Sequence, residues 1–469
     1  MSHSIPARNW FLPSIPPTVT MKPLKIGISG VRGIVGETFT PELAVSFAQA
    51  FATYLNSGQI LICRDTRPSG PMVASAVAAG LLASGCEVID LGVCPTPSLQ
   101  LAIPWLRARG GIAITAGHNA TPWNALKFIR ADGLYLNATQ ATELLDIYHQ
   151  YEFEKVPWDR IRPMIERGDA VEHHLSILTG SFNVVSIRKR AFRIAVDCCN
   201  GACSALVPRW IAELGGQVLT INDDMSAPFP HDPEPRQDTM TQVRALVKAG
   251  GADLGLVLDA DGERLGLVDE TARILPEEAT FALAAAIRLS QRPGTIATNV
   301  STSAMVERIA ALYQTLVVRT PVGQAYVSEA VLEHHAVLGG EGNGSVIVPE
   351  INAVPDSSAA IGLIMEHLAA TEMPLSMLVE QLPKLSMVKS AVAIEPNVIY
   401  SALQSFRDRV QDECGGAVDS SDGVRIDWPD GWVHVRVSNT ESIIRVIAEA
   451  EHESRALELA DWARERLRG

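Results

Sequence analysis

Short apolar runs alternate with amphipathic stretches along most of the chain, which predicts strands alternating with helices. In the first third, the runs at 59–65, 86–92 and 111–117 are predicted to be buried strands. Between the first two lies an alanine-rich amphipathic segment, 69–85, whose final glycine is a helix stop signal. Strands joined through helices form parallel sheets with helices on both faces, so an α/β domain is expected here.

The same alternation starts again twice and then changes. New strand–helix series begin with "FRIAVDCCNGA" at 192–202 and with "GTIATNV" at 294–300. Near the C-terminus, "VRIDW", "GWVHVRV" and "IIRVIAEA" are predicted strands joined by short turns, and a closing helix follows them. The pattern predicts three α/β domains with mixed, largely parallel sheets and a C-terminal α+β domain. The expected boundaries are 22–165, 166–275, 276–385 and 386–469.

The first 21 residues differ from the rest, because they contain four prolines and little charge. They lack the basic start and the long apolar core of a secretion signal. A disordered extension is therefore expected over 1–21, and Met21 offers a second possible start of translation.

The formal net charge of −14 narrows the choice of partner. A strongly acidic protein is repelled by nucleic acid and by anionic membrane surfaces, so neither is an expected partner. An anionic small molecule would need local clusters of arginine and lysine. The seven cysteines do not show zinc-finger spacing, which favours reduced thiols in a cytoplasmic protein. The sequence leaves the oligomeric state open.

Three polar turns follow predicted strands, at 117–119, 259–264 and 341–344. Ligands of open α/β sheets bind beyond the carboxyl ends of the strands, so these turns are expected to share one central cleft. In the second turn, Asp259, Asp261 and Glu263 alternate and can converge on one point. Such carboxylates repel one another unless a divalent cation such as Mg²⁺ joins them, and Arg264 beside them suits a phosphate. The alternative is a solvated acidic turn.

The turn that follows "GWVHVRV" combines cations with hydroxyl and amide groups, a composition that suits phosphate. Its candidate residues are Arg436, Ser438, Asn439, Thr440 and Arg445. The alternative is an ordinary surface β-turn. Glu341 and Asn343, among four glycines, suit sugar hydroxyls, although a flexible turn is equally consistent. Weaker signals come from Gly323 in "TPVGQAYV" and from Arg32 in "GISGVRG".

In their order along the chain, these segments resemble the α-D-phosphohexomutase family of phosphoglucomutases, phosphomannomutases and phosphoglucosamine mutases. The resemblance extends from about Lys25 nearly to the C-terminus. It rests on "DADGER" for the metal loop, "GEGNG" for the sugar loop, "RVSNTES" for the phosphate loop, and "GVRG", "RDTRPSG" and "GVCPTP" in the first domain. The family implies four domains around a deep cleft, a Mg²⁺ cofactor and the interconversion of hexose 1-phosphates and 6-phosphates.

The segment "TAGHNA", 115–120, departs from the family at its reactive position. Where the family has T-A-S-H-N-P, with a serine that carries a phosphoryl group, this chain has Gly117. Glu263 similarly stands where the family has an aspartate as the third metal ligand. The resemblance leaves Lys127 as the candidate general acid or base, His118 as its assistant and Arg32 as a cation near the reacting phosphate.

Three hypotheses account for Gly117. The first keeps mutase activity, with Thr115, Thr121 or a bound hexose 1,6-bisphosphate as the phosphoryl carrier. The second is a regulatory protein that binds phosphosugars without turnover, and the third is a slow sugar phosphatase in which water replaces the serine. Because the charged residues of the site are kept, a Mg²⁺-dependent phosphohexose mutase is the preferred interpretation. The sequence does not distinguish glucosamine, mannose and glucose phosphates.

Overall fold

The computed structural model describes residues 24–27, 30–395, 398–413, 415–438 and 443–468. The predicted extension at 1–21 lies outside these residues, as do Asn439 and Thr440 of the predicted phosphate turn. Four sheets follow one another along the chain, and we call the regions that carry them the first to fourth units. No helix within these ranges is long and apolar enough to cross a bilayer.

The first unit is a mixed seven-stranded sheet covered by helices. Its elements are β1 (Lys25–Gly27), β2 (Gly30–Ile34), α1 (Pro41–Tyr54), β3 (Gln59–Arg64), α2 (Gly70–Ala83), β4 (Glu87–Val93), α3 (Thr96–Trp105), β5 (Gly110–Ile114), β6 (Trp123–Arg130), α4 (Ala138–Gln150) and, after a 3-10 turn at Trp158–Arg160, β7 (Ile165–Glu166). The strand order is β1-β2-β6-β5-β3-β4-β7, and β3 pairs in parallel with β4 and β5. Helix α1 begins where Thr40 accepts the N–H of Leu43, which satisfies a donor that the helix itself leaves free. Strand β7 ends one residue past 165, so the predicted boundary falls inside a strand.

The second unit is built on a four-stranded sheet in the order β11-β10-β8-β9. Its elements are α5 (Ala170–Ser181), α6 (Val184–Arg190), β8 (Arg193–Asp197), a 3-10 turn at Ala202–Ala205, α7 (Val207–Glu213), β9 (Gln217–Ile221), α8 (Thr241–Gly250), β10 (Leu254–Leu258) and β11 (Leu265–Asp269). Strand β8 pairs in parallel with β9 and β10, while β10 and β11 are antiparallel. The acidic turn joins β10 to β11, so it lies at the carboxyl end of a buried strand as predicted.

The third unit repeats this arrangement with the order β13-β12-β14-β15. Its elements are α9 (Glu277–Gln291), β12 (Ile296–Asn299), α10 (Met305–Leu312), β13 (Val317–Thr320), α11 (Gln324–Glu333), β14 (Leu338–Glu341), β15 (Ser345–Ile347), α12 (Ser357–Thr371) and α13 (Leu375–Glu380). Strand β12 is parallel to both of its neighbours, and β14 turns back into the antiparallel β15. The glycine-rich turn around Asn343 makes that reversal.

The fourth unit is antiparallel, as the short turns of its sequence predict. Its elements are β16 (Ser386–Ala393), α14 (Ile399–Glu413), β17 (Ala417–Asp419), β18 (Val424–Trp428), β19 (Gly431–Val437), β20 (Ile443–Ala450) and α15 (Glu453–Arg468). The strand order is β16-β20-β19-β18-β17. Three units with mixed, mostly parallel sheets and a fourth with an antiparallel sheet confirm the predicted fold class.

The apolar cores divide the molecule differently from the sheets. One continuous core joins the first three units, and it includes Leu61, Leu99, Trp210, Phe281 and Ile361. The fourth unit has a separate core, built around Phe406 and Val433. Because burial of apolar surface is the main stabilising term in folding, the first three units are held together more firmly than the fourth is held to them.

Candidate functional site

A cleft of about 620 Å³ brings together residues from all four units. The predicted site residues that line it are Arg32, Gly117, His118, Lys127, Glu263, Arg264, Gly323, Glu341, Asn343, Arg436, Ser438 and Arg445. Asp259 and Asp261 do not line the cleft; they lie just beneath it and are 1% exposed. The structure therefore assembles in one place the turns that the sequence places far apart, while the role of each residue stays a prediction.

The turn that carries Gly117 begins earlier than predicted, because β5 ends at Ile114. The hydroxyl of Thr115 donates to Asp65 Oδ2 at 2.6 Å and accepts the N–H of Gly117 at 2.9 Å. These side-chain hydrogen bonds end the strand and fold the turn. Gly117 has φ of +53°, a left-handed conformation that glycine adopts at little cost.

In the described part of this turn, no serine or threonine hydroxyl lines the cleft beside Gly117. Thr115 is buried and its hydroxyl already has two partners, and Thr121 does not line the cleft. The two side chains that the sequence offers as substitute phosphoryl carriers are therefore not presented to a ligand in this arrangement.

Arg67 holds the turn, and sequence analysis did not single it out. Its guanidinium donates to the carbonyl oxygens of Gly117, Asn119, Ala120 and Trp123 at 2.6–3.1 Å. Its Nε donates to Asp65 Oδ2 at 2.9 Å, and both side chains are fully buried. The sequence does contain a signal for Arg67, because "RDTR" stands at the end of β3 and therefore at the same sheet edge as the turn.

The carboxylates of the acidic turn are bound by the protein itself. Asp259 Oδ1 accepts the backbone N–H groups of residues 262, 263 and 264 at 2.9–3.1 Å, which bends the turn. Asp261 Oδ2 and Glu263 Oε2 accept from Lys127 Nζ at 2.7 and 2.8 Å. Glu263 Oε1 also accepts the hydroxyl of Tyr135, and Oε2 accepts Gln324 Nε2 at 2.9 Å. Neither Tyr135 nor Gln324 carries a signal in the sequence.

Burial and these contacts shift the proton affinities. Burial disfavours the Lys127 ammonium, but the adjacent carboxylates of Asp261 and Glu263 outweigh it and raise the pKa of Lys127. Burial also opposes ionisation of Asp261, and the Lys127 ammonium overcomes that effect and lowers its pKa. Burial, together with Asp261, raises the pKa of Asp259 well above its usual range. Burial and the nearby Arg264 lower the pKa of His118, so its imidazole is neutral near pH 7.

The predicted metal ligands do not fit a divalent ion as they are arranged. Among the residues that the structure describes, no three His, Cys, Asp or Glu side chains form a group that could hold a metal ion. The Asp261 and Glu263 oxygens that would converge are held by Lys127. One observation favours a bound cation: Asp261 Oδ1 is buried without a hydrogen-bond partner in the described structure. It lies 3.3 Å from the place where a Cβ at Gly117 would be.

Two arginines complete a cationic wall beside this turn. Arg264 donates to Glu234 at 2.6 Å and to His118 Nε2 at 3.4 Å. Arg32 donates to Asn119 Oδ1 at 3.2 Å, and its side chain comes from β2. Burial and the neighbouring Arg264 lower the pKa of Arg32, which reflects cations held close together. Arginines therefore line the cleft together with acidic side chains such as Glu234 and Glu341.

The wall from the third unit is organised by Glu341. Its Oε1 accepts Asn299 Nδ2 at 2.6 Å and the N–H of Gly323 at 3.2 Å. Its Oε2 accepts Asn343 Nδ2 at 3.3 Å. Glu341 thus joins both glycine turns that the sequence identifies as candidates for sugar contacts.

The fourth unit contributes to the cleft two arginines that face each other across its last hairpin. Arg436 on β19 and Arg445 on β20 are direct cross-strand partners. Like charges directly opposite each other destabilise a sheet. Arg436 Nε donates to Asp422 Oδ2 at 3.1 Å, and Asp422 Oδ2 also accepts the N–H of Val322 at 3.0 Å. The contribution of Asp422 was not predicted.

Polar contacts join the fourth unit to the third. Lys389 of β16 donates to Glu277 and Glu278 at the start of α9. His434 hydrogen-bonds with Ser301 at 2.9 Å. Because these contacts link the sheet that carries Arg436 and Arg445 to the third unit, they help to position the two arginines at the cleft.

Four family models match successive parts of the chain. They are described as "Phosphoglucomutase/phosphomannomutase, alpha/beta/alpha domain I" at 23–155, domain II at 172–272, domain III at 276–385, and "C-terminal domain" at 387–466. Together they cover most of the chain in the order expected from the sequence.

Individual relatives support the same family. The chain is 34% identical over 439 residues to a phosphoglucomutase/phosphomannomutase of Thermococcus kodakarensis, covering 92% of this chain and 96% of the relative. It is 30% identical over 449 residues to a phosphoglucosamine/phosphogalactosamine mutase of Sulfurisphaera tokodaii, covering 94% and 99%. Among solved structures, a phosphoglucomutase/phosphomannomutase family protein of Burkholderia thailandensis has a TM-score of 0.82 and 25% identity, covering 94% of this chain and 96% of the other.

Proposed function

The chain belongs to the phosphoglucomutase/phosphomannomutase family, and we propose that it is a phosphohexose mutase whose phosphoryl carrier is a hexose 1,6-bisphosphate instead of a side chain. The substrate is a glucosamine, mannose or glucose phosphate. Membership of an isomerase family supports the reaction type, and Gly117 at the apex of the turn motivates the change of carrier.

The observation that carries the proposal is the distribution of positive charge in the cleft. Arg32 and Arg264 come from the first and second units, Arg436 and Arg445 come from the fourth, and all four line the cleft. A hexose bisphosphate carries an anionic group at each end, so its charge pattern matches both walls at once. A monophosphate matches one wall and presents a free hydroxyl to the other.

The reaction balances without a covalent enzyme intermediate. The 1-phosphoryl group of the bisphosphate passes to O6 of a hexose 1-phosphate: the P–O bond at the donor breaks, a P–O bond at the acceptor forms, and the hydroxyl proton of the acceptor moves to the donor oxygen. The products are a hexose 6-phosphate and a new bisphosphate. Catalysis then rests on positioning and on neutralising the phosphoryl charge, and we assign that neutralisation to Arg32 and Arg264, which line the cleft.

Two parts of the sequence-based interpretation are outside this proposal. The predicted Mg²⁺ does not fit the carboxylates as they are arranged, so no step is assigned to it. Proton transfer by Lys127 or His118 stays a prediction.

A second candidate is phosphosugar binding without turnover. The observation that favours it is the engagement of Lys127 with Asp261 and Glu263, which occupies the amine predicted to move the proton. Such a protein would bind the same ligands with the same cations and would report their concentration instead of converting them.

The test is an exchange experiment with ³²P-labelled glucose 1,6-bisphosphate and, in separate reactions, the unlabelled 1-phosphates of glucose, mannose and glucosamine. We expect label in a hexose monophosphate or in a new bisphosphate, no labelled protein, and sequential kinetics in which both sugars must bind before either leaves. An Arg436→Gln variant, which weakens the far wall, should lower the exchange rate, and Arg455→Gln on the exposed surface of the same unit serves as its control.

Three outcomes would contradict the proposal. Stable label on the protein, with ping-pong kinetics, would indicate an alternative nucleophile. Release of inorganic phosphate would indicate a phosphatase in which water is the acceptor. Binding of the bisphosphate with no exchange into any sugar would support the non-catalytic candidate.

A further inference from the structure

The ammonium of Lys127 lies at the position where the sequence predicts a metal ion. Its Nζ donates to Asp261 Oδ2 at 2.7 Å and to Glu263 Oε2 at 2.8 Å. The three side chains are 8%, 1% and 5% exposed, so water screens these ion pairs little. A cation that belongs to the chain therefore offsets part of the negative charge of the turn.

Glu263 is held by contacts from two other units. Tyr135 of the first unit donates its hydroxyl to Oε1, and Gln324 of the third unit donates to Oε2 at 2.9 Å. Both oxygens of Glu263 thus have partners before any ligand is bound. A glutamate, one methylene longer than an aspartate, has the reach to form this link among the units.

The remaining carboxylates of the turn are also largely engaged. Asp259 Oδ1 accepts three backbone N–H groups, and Asp261 Oδ2 is shared between Lys127 and Thr96 at 2.7 and 3.1 Å. Asp261 Oδ1 is buried without a partner in the described structure. Mg²⁺ requires near-octahedral oxygen ligands, and a carboxylate oxygen facing a glycine does not supply that shell.

From this geometry we propose that the Lys127 ammonium takes the place of the divalent cation at the acidic turn. The positive charge is then a permanent part of the chain, and the turn folds without metal. A divalent ion would have to displace Lys127 from a buried pair and release Glu263 from Tyr135 and Gln324. The inference concerns the cation alone and holds whether or not the cleft converts its ligand.

The experiment measures Mn²⁺ binding and thermal unfolding of the full chain after treatment with EDTA. In the wild-type protein we expect no saturable Mn²⁺ site in equilibrium dialysis and the same Tm with Mn²⁺ or EDTA. Lys127→Met leaves Asp261 and Glu263 without a counter-ion, so its Tm in EDTA should be lower than wild type and should recover when Mn²⁺ is added. Lys155→Met, at an exposed lysine, is the matched control and should show neither effect.

Either of two results would overturn the inference. One is a saturable Mn²⁺ site in the wild-type protein with a higher Tm in Mn²⁺, lost in Asp261→Asn. The other is a Lys127→Met protein that folds with a lower Tm but does not respond to Mn²⁺. If Lys127→Met does not fold, the dialysis of the wild-type protein decides the question by itself. None of these measurements uses turnover, so a failure of the proposed mutase reaction would leave them unaffected.

Discussion

The two ends of the cleft are built in different ways. At the end that carries Gly117, Arg67, Lys127 and Glu263 link segments of units that share one apolar core. At the other end, Arg436 lies on a sheet with its own core, which polar contacts such as His434–Ser301 attach to the third unit. Polar contacts exchange with water at lower cost than an apolar core opens. We therefore expect the end that carries Gly117 to be the more rigid one, and the end that carries Arg436 and Arg445 to adjust more easily.

The largest expected effect on stability comes from removing the buried Arg67 side chain, which holds the turn at the end that carries Gly117. Arg67→Met leaves the buried Asp65 without its ion-pair partner and frees the carbonyl oxygens of the Gly117 turn. We expect a loss of about 3–5 kcal/mol in the free energy of unfolding, measured by urea denaturation. Arg160→Met, at an exposed arginine, should change it by less than about 0.5 kcal/mol. Similar small losses in both variants would show that the turn does not depend on Arg67.

At the end that carries Arg436, removal of a cation predicted to bind phosphate should lower the affinity for ligand more than it lowers the stability of the fold. Arg436→Gln loses a charged hydrogen-bond donor of the far wall. We expect hexose phosphate affinity to fall by about 10–100-fold, since hydrogen bonds to charged groups contribute about 1.5–3 kcal/mol. Isothermal titration calorimetry measures it, with Arg455→Gln as control. Unchanged affinity would place the phosphate elsewhere in the cleft.

The attachment of the fourth unit should depend on pH. Burial, with Arg436 and Arg425 nearby, lowers the pKa of His434 to about 4, although the contact of its ring with the Asp422 carbonyl opposes this. The unfolded state therefore binds the proton first, and stability falls as pH drops from about 6.5 towards 4, by up to about 1.4 kcal/mol per pH unit. Buried carboxyls with raised pKa values change stability in the opposite direction, so the measurement is the difference between wild type and His434→Asn in urea denaturation at each pH. A difference that does not vary with pH would contradict the prediction.

The smallest effect tests the space at Gly117. Gly117→Ala places a Cβ in the left-handed region and 3.3 Å from Asp261 Oδ1, so it should destabilise the protein by about 1–2 kcal/mol. Gly117→Ser has the same strain, but its hydroxyl can donate to that unpartnered oxygen and recover about 1 kcal/mol. Chemical denaturation of both variants measures the difference. Equal stabilities would contradict the prediction, and the absence of label on the serine from ³²P-labelled glucose 1,6-bisphosphate would show that position 117 does not accept a phosphoryl group.

The sequence predicted the fold class well because burial repeats with the period of each element, and turn residues mark the reversals. Its error at β5, which ends at Ile114, arose because the bonds of the Thr115 side chain end the strand before its apolar pattern ends. The site turns were found because strands of parallel sheets deliver their carboxyl ends to one edge. Arg67 was missed although its neighbours were noted, since nothing local indicates that its donors reach residues 50 to 56 positions away.

By itself, the sequence determined the order of strands and helices and the presence of a glycine at position 117, because both are written in local pattern and residue identity. The tertiary structure alone decided that Lys127 meets Asp261 and Glu263, which are 134 and 136 residues away. It also decided that Tyr135 and Gln324 close around Glu263. The physical reason is that a buried charge takes whichever partner folding places within hydrogen-bond distance, and that distance is a property of packing among units.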